Sequence, residues 1–251
     1  MSERAAWQGM WTVVRFNWPF YAFVFICLGI SVWGFFCFAG SLKWLCLVSG
    51  IGSSHFLAGS LFVSHWVYDR SDLYRWKWLE RALDGSPHQR VIFCHSGFDE
   101  TSTSLRERFP DSEWLLLDHY DEALMSEASI RRARSVYPPS EDTVAARFDR
   151  WPVSSQSADV VLGLLAIHEL RDERERILWF SEAKRCLRKE GRVILAEHIR
   201  DTANFLAFGP GFLHFHSWRS WESSWEGAGL CLHDTFRVTP WIRIIVLRTY
   251  D

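Results

Sequence analysis

Charge is missing from two long stretches of this chain. The roughly 27 residues between Arg15 and Lys43 contain no Asp, Glu, Lys or Arg, and neither do the roughly 25 between Lys43 and Asp69. Each stretch is long enough to cross a hydrocarbon core of about 30 Å. Two membrane spans are therefore expected, near Trp18 to Ala39 and Trp44 to Tyr68. A secretory leader competes with this reading, because Arg4 and Arg15 precede an apolar run that ends on the small residues around Cys37-Phe38-Ala39. The run exceeds an h-region of about 7 to 15 residues, and a second run follows at once.

Paired cysteines are also missing. The six cysteines are scattered through apolar stretches without a Cys-x-x-Cys pair, so neither a zinc finger nor a disulfide framework is expected. A net charge of -2 argues against general nucleic-acid binding. No internal repeat or low-complexity tract breaks the pattern. The third scarcity is glycine in VIFCHSGFDETSTSLRERFP, Val91 to Pro110, where a strand enters a polar turn and then a helix. A nucleotide-binding loop has this layout, yet this one has a single glycine, Gly97.

The flanks of the apolar runs are basic. Arg4 and Arg15 precede the first, only Lys43 lies between the two, and Arg70, Arg75, Lys77 and Arg81 follow the second, which places both termini on the cytoplasmic side. Trp7, Trp11, Trp18, Trp44, Trp66, Trp76 and Trp78 fall near the span ends, where amphipathic rings favour the headgroup layer. Gly50, Gly52, Ser53, Ser54, His55, Gly59, Ser60, Ser64 and His65 make the second run polar for lipid, and its small residues suit close packing against the first, or between protomers of a homo-oligomer. Beyond it, Leu73, Trp76, Leu79 and Leu83 repeat at helical spacing. An amphipathic helix from about Asp72 to Leu83 would lie on headgroups or pack against the domain that follows. The expected organisation is an anchor over 1–70, a linker helix over 71–87 and an α/β domain over 88–251.

From Arg90 onward strand and helix alternate: VIFCH, then a helix from Thr101 to Phe109; WLLLD, then a helix from Glu122 to Val136; ADVVLGLLAI, then the helix RDERERILWFSEAKRCLR; and GRVILAEHI. Strands this apolar belong in a parallel sheet covered on both faces. CLHDTFRVTP and WIRIIVLRTY predict a closing antiparallel hairpin.

The segment ADVVLGLLAIHELRDERERILWFSEAKRCLRKEGRVILAEHIRD resembles the class I S-adenosylmethionine (SAM) dependent methyltransferases, with some likeness to enzymes that methylate quinone rings. Asp159, His168, Arg185, Leu187, Gly191 and Glu197 stand at the family's places in order and spacing. The resemblance spans roughly Arg90 to Asp251 and implies a Rossmann-like sheet with SAM as cofactor. The first loop departs from the family pattern. Phe93 replaces its acid, while His95, Gly97 and Asp99 hold the places of its three glycines. Asp118, ending the second strand, suits a carboxylate that accepts from a ribose diol. Asp99 and Glu100 would repel the phosphates of NAD or ATP but tolerate a sulfonium. Asp149 is a candidate for the adenine end, and His168 for the turn beside the cofactor.

The loop from Glu197 to Trp221 leaves the carboxyl end of a central strand, where open α/β sheets place ligands. It is aromatic and bears His214 and His216, ranked first as bases for a phenol, thiol or ring carbon. No metal is expected, since nothing beside His214-x-His216 has ligand spacing. The expected protein is a membrane-anchored SAM-dependent methyltransferase acting on a small lipophilic or lipid-embedded acceptor. Its rivals are a SAM-using enzyme of another reaction type and a tethered scaffold without cofactor.

Overall fold

The computed structural model describes residues 5–250. Three helices come first: α1 (Gln8–Phe16), α2 (Trp18–Cys37) and α3 (Gly40–His65). The 20 residues of α2 span about 30 Å at 1.5 Å per residue. Its outward side chains are apolar, with Phe25, Ile30 and Phe36 all more than half exposed. Small residues close the α2–α3 pair. Ser31 Oγ donates to Ser49 Oγ at 2.9 Å, and a Cβ at Gly34 would come within 2.6 Å of Cys46 Sγ.

A widened turn at Trp66–Arg70 ends α3 and returns the chain to α1. The buried Asp69 carboxylate accepts from the N–H groups of Gly9 (2.6 Å) and Met10 (3.1 Å), satisfying donors that a helix start leaves open. At the other end of α1, Phe16 is buried between Phe98 and Tyr137, and its carbonyl accepts from Arg132 Nε at 2.7 Å.

The segment expected to be one helix is broken. A 3₁₀ turn at Leu73–Arg75 runs into Trp76, whose φ of 60° is left-handed, and α4 (Lys77–Leu83) starts after it. Trp78, Leu79, Ala82 and Leu83 are buried against one face of the sheet. Of the two readings offered for this segment, packing against the sheet is the one found.

The sheet has seven strands in the order β3-β2-β1-β4-β5-β7-β6. They are β1 (Arg90–His95), β2 (Glu113–Asp118), β3 (Thr143–Ala145), β4 (Ala158–Leu164), β5 (Leu187–His198), β6 (Leu230–Thr239) and β7 (Ile242–Thr249). β1 to β5 are parallel, and β7 enters antiparallel between β5 and β6. Alternate residues feed two cores. Ile92, Cys94, Val193 and Leu195 face one side, and Val91, Phe93, Ile194 and Ala196 the other. Covering helices are α5 (Ser102–Arg108), α6 (Ala128–Val136), α7 (Glu173–Cys186), α8 (Thr202–Phe208) and α9 (Trp218–Gly227).

Two of the boundaries that differ from expectation shape the site. α6 begins at Ala128 rather than Glu122, because Asp121 turns the chain: its Oδ1 accepts from Ala123 N and its carbonyl from Met125 N. Glu127 is left at the N-cap with its side chain pointing away. β4 stops at Leu164, since Leu165 takes φ 53° and the chain then coils into a 3₁₀ turn, Ile167–Glu169, that carries His168.

Candidate active site

The chain order reverses between β1 and β4, and the crevice at their carboxyl ends is where such sheets bind ligands. A cavity of about 450 Å³ lies there. Its floor comes from Ser96 and Phe98 after β1 and from Leu164 to Ala166 after β4. Its roof comes from the N-terminal helices, with Val13, Phe16, Tyr21, Phe56 and Ser60 among the lining residues. The roof is fastened to the sheet by Tyr68, whose hydroxyl lies 2.9 Å from His198 Nε2. His198 Nδ1 donates to Asn204 Oδ1 (2.9 Å), so Nε2 is the acceptor for Tyr68. Burial holds this imidazole down to about 4, so it stays neutral.

At one end of the cavity five side chains converge. Glu197 is fully buried at the end of β5. Its Oε1 accepts from Ile167 N (3.0 Å) and Ala166 N (3.3 Å), and its Oε2 from His168 Nδ1 (2.7 Å). A ring nitrogen that close to a carboxylate carries the proton, which leaves a lone pair on Nε2. His168 Nε2 is 3.7 Å from Glu169 Oε1. His214 repeats the arrangement, with Nδ1 2.9 Å from Glu127 Oε1 and Nε2 3.7 Å from the same Glu169 oxygen. Burial alone would lower the His214 pKa, but Glu127 and Glu169 outweigh it and raise it to about 9. Arg171 donates to the carbonyls of both His168 and His214, tying the two segments together.

Residues 110–195 match a family model described as a methyltransferase domain. The structure is similar to a SAM dependent methyltransferase from Aquifex aeolicus, with 13% identity and a TM-score of 0.52 over 70% of this chain and 89% of that one. It is also similar to the mitomycin 7-O-methyltransferase MmcR, with 14% identity and a TM-score of 0.57 over 98% of this chain and 74% of that one. No curated protein matches the sequence. The fold is the class I methyltransferase fold.

In a class I methyltransferase sheet the ends of β1 and β2 are where a nucleoside cofactor would be held. Asp118 is buried there. Its Oδ1 accepts from Gly97 N (2.8 Å) and Tyr120 N (3.0 Å), and its Oδ2 is taken by Arg134. Gly97, at φ 85°, is needed because a Cβ would meet Tyr120 at 2.8 Å. His95 is buried 3.5 Å from Asp118 with neither ring nitrogen hydrogen-bonded. Ser96 Oγ and His119 Nε2 are likewise buried without a partner. Buried polar atoms of this kind await a ligand or water, so the residues present fit a polar cofactor at the end of β1. A ribose contact at Asp118 would require the Arg134 guanidinium, whose side chain is 30% exposed, to swing aside.

Other expected residues lie elsewhere. Asp99 caps α5, accepting from Thr101 N and Ser102 N at 2.9 Å, and does not line the cavity. Asp149 pairs with Arg147 through two 2.9 Å bonds on the surface, also away from the cavity. His216 is withdrawn into the protein. Its Nε2 lies within 3.2 Å of Arg176, His168 O and Leu170 O, and burial together with Arg176 lowers it to about 3. His214 and His168 do line the cavity, whereas His95, Gly97 and Asp118 are not among its lining residues. Glu127, Glu169 and Tyr68 were not foreseen; the adjacency His168-Glu169 was the local sign of the cluster.

Proposed function

We propose that this protein is a membrane-anchored SAM-dependent methyltransferase whose acceptor is a small lipophilic molecule bearing a hydroxyl. The observation that carries this reading is the cavity itself: an apolar, aromatic chamber at the carboxyl ends of β1 and β4, roofed by two helices apolar enough to cross a membrane, with a histidine–carboxylate cluster at one end. Small-molecule sites have this mixture of apolar wall and few polar groups, at volumes of about 300 to 1,000 Å³.

The cofactor supplies an electrophilic methyl group. Ser96, Glu100 and Thr101, which line the cavity beside β1, would hold its amino-acid end, and Asp118, buried at the end of β2 and not itself a lining residue, its ribose. Phe16, Phe98 and Phe208 enclose the acceptor ring and keep water out. Glu197 fixes the His168 tautomer, so Nε2 can accept the acceptor's hydroxyl proton. Positioning is then most of what catalysis requires.

Features of the surface support the anchor. Trp7, Trp11 and Trp18 are each more than half exposed around α1, and Phe205, Leu206 and Leu213 are exposed apolar residues on the neighbouring loop. His55 on α3 reaches Leu206 O at 3.2 Å, so the loop and the anchor present one apolar rim. Quinols are the first acceptors to try. The test is to reconstitute the full chain in lipid vesicles and measure S-adenosylhomocysteine formed from SAM with membrane-dissolved quinols and phenols. Turnover with these and none with water-soluble phenols is expected. No binding of either SAM or S-adenosylhomocysteine would overturn the reading.

A further inference from the structure

His168, Glu169 and His214 offer Nε2, a carboxylate oxygen and Nε2, and these three ligand atoms lie within 4.8 Å of one another. We propose that they form a binding site for a divalent transition-metal ion at the polar end of the cavity. The proposal deepens the methyltransferase reading, since the ion would receive the acceptor's oxygen where His168 Nε2 otherwise would. The binding claim itself depends only on this cluster.

Three observations carry it. The first is convergence. Ligands about 2.1 Å from an ion and roughly 100° apart are separated by about 3.2 Å, and Glu169 Oε1 is 3.7 Å from each Nε2. Closing the two carboxylate gaps takes a contraction of about half an ångström, and the two imidazole nitrogens, within 4.8 Å of each other, close by up to about 1.6 Å through side-chain rotation.

The second is orientation. Metal-ligating imidazoles commonly donate their other N–H to a carboxylate, which fixes the tautomer and strengthens the ligand. Here both do: His168 Nδ1 to Glu197 at 2.7 Å and His214 Nδ1 to Glu127 at 2.9 Å. A single such pair is ordinary packing. Two of them, from different parts of the chain, aim both Nε2 atoms at the same carboxylate.

The third is charge. Glu127, Glu169 and Glu197 bring three carboxylates to one end of the cavity, and Arg171 is the cation that ties the two histidine-bearing segments together. A dication that takes the place of the proton on His214, together with Arg171, balances the three. Two nitrogens and one oxygen select a first-row transition metal or zinc over magnesium or calcium, which prefer all-oxygen shells. Three protein ligands leave positions open, and all three line the cavity.

The test uses untagged, full-length protein in detergent, stripped with EDTA and titrated with Co2+, whose visible d–d absorption reports coordination. Saturable absorption is expected, abolished in Glu169→Gln and in His214→Gln, and weakened about 10- to 100-fold in Glu127→Gln. Circular dichroism and melting in EDTA establish that the variants fold. Absence of the absorption, or an unchanged titration in folded Glu169→Gln, overturns the proposal. Methyl transfer in the same preparation separates the two readings. Transfer that persists in EDTA without a Co2+ signal removes the metal and leaves the methyltransferase, whereas Co2+ binding without transfer supports the metal site and removes the acceptor assignment.

Discussion

His168 Nδ1 lies 2.7 Å from Glu197 Oε2, and the same carboxylate holds the two backbone N–H groups that precede His168. One buried residue at the end of β5 therefore sets both the path of the loop after β4 and the orientation of its imidazole. Glu197→Gln keeps the shape and removes the charge. Methyl transfer should fall about 10²-fold while S-adenosylhomocysteine affinity stays unchanged, measured by turnover and calorimetry on the same preparation.

Arg134 sits on the Asp118 oxygen that a ribose would use. Arg134→Ala releases that oxygen and removes a cation stacked 4.6 Å from the Tyr120 ring. A several-fold tighter Kd for S-adenosylhomocysteine is expected. A weaker one would make Arg134 part of the binding site instead of its competitor.

His119 and His198 are buried, and burial lowers each to about 4. Below about pH 6.5 the unfolded chain takes up protons that the folded one refuses, so stability rises with pH between 4 and 6.5. Each imidazole contributes up to about 3 kcal/mol of loss on acidification. Thermal melts across this range should show the loss, and His119→Phe, which keeps the stacking on Trp151 at 5.4 Å, should make the curve shallower.

Asp69 holds the start of α1 from the end of α3. Asp69→Ala leaves two backbone donors without partners and should cost about 1 kcal/mol. Because α1 roofs the cavity, KM for the acceptor should rise more than KM for SAM, read from initial rates in vesicles.

The sheet was legible because its strands are continuous apolar runs separated by amphipathic helices, as Val160 to Leu164 and Glu173 to Cys186 illustrate. Local pattern also gave the polar turn at His168 and the aromatic loop. The cluster was not legible, because Glu127 meets His214 across 87 positions of sequence and only the fold brings them together. His216 could not be separated from His214 by spacing. The 3₁₀ segment Gly209–His214 ends between them, and His216 then bridges Ile199 with its side chain turned inward. Asp149 has an acid's composition but a nearer partner in Arg147. The break at Trp76 left no trace in the apolar spacing, since the periodicity continues across it.

The helix α1 is held at both ends, by Asp69 at its start and by Phe16 and Arg132 at its finish. Nine residues long, it is a strut of about 14 Å between the apolar hairpin and the α/β domain. A strut transmits displacement. Any tilt of the hairpin that carries α1 along must draw Phe16 from between Phe98 and Tyr137 or drag Arg132 with it, so the shape of the chamber is mechanically coupled to the posture of the helices above it.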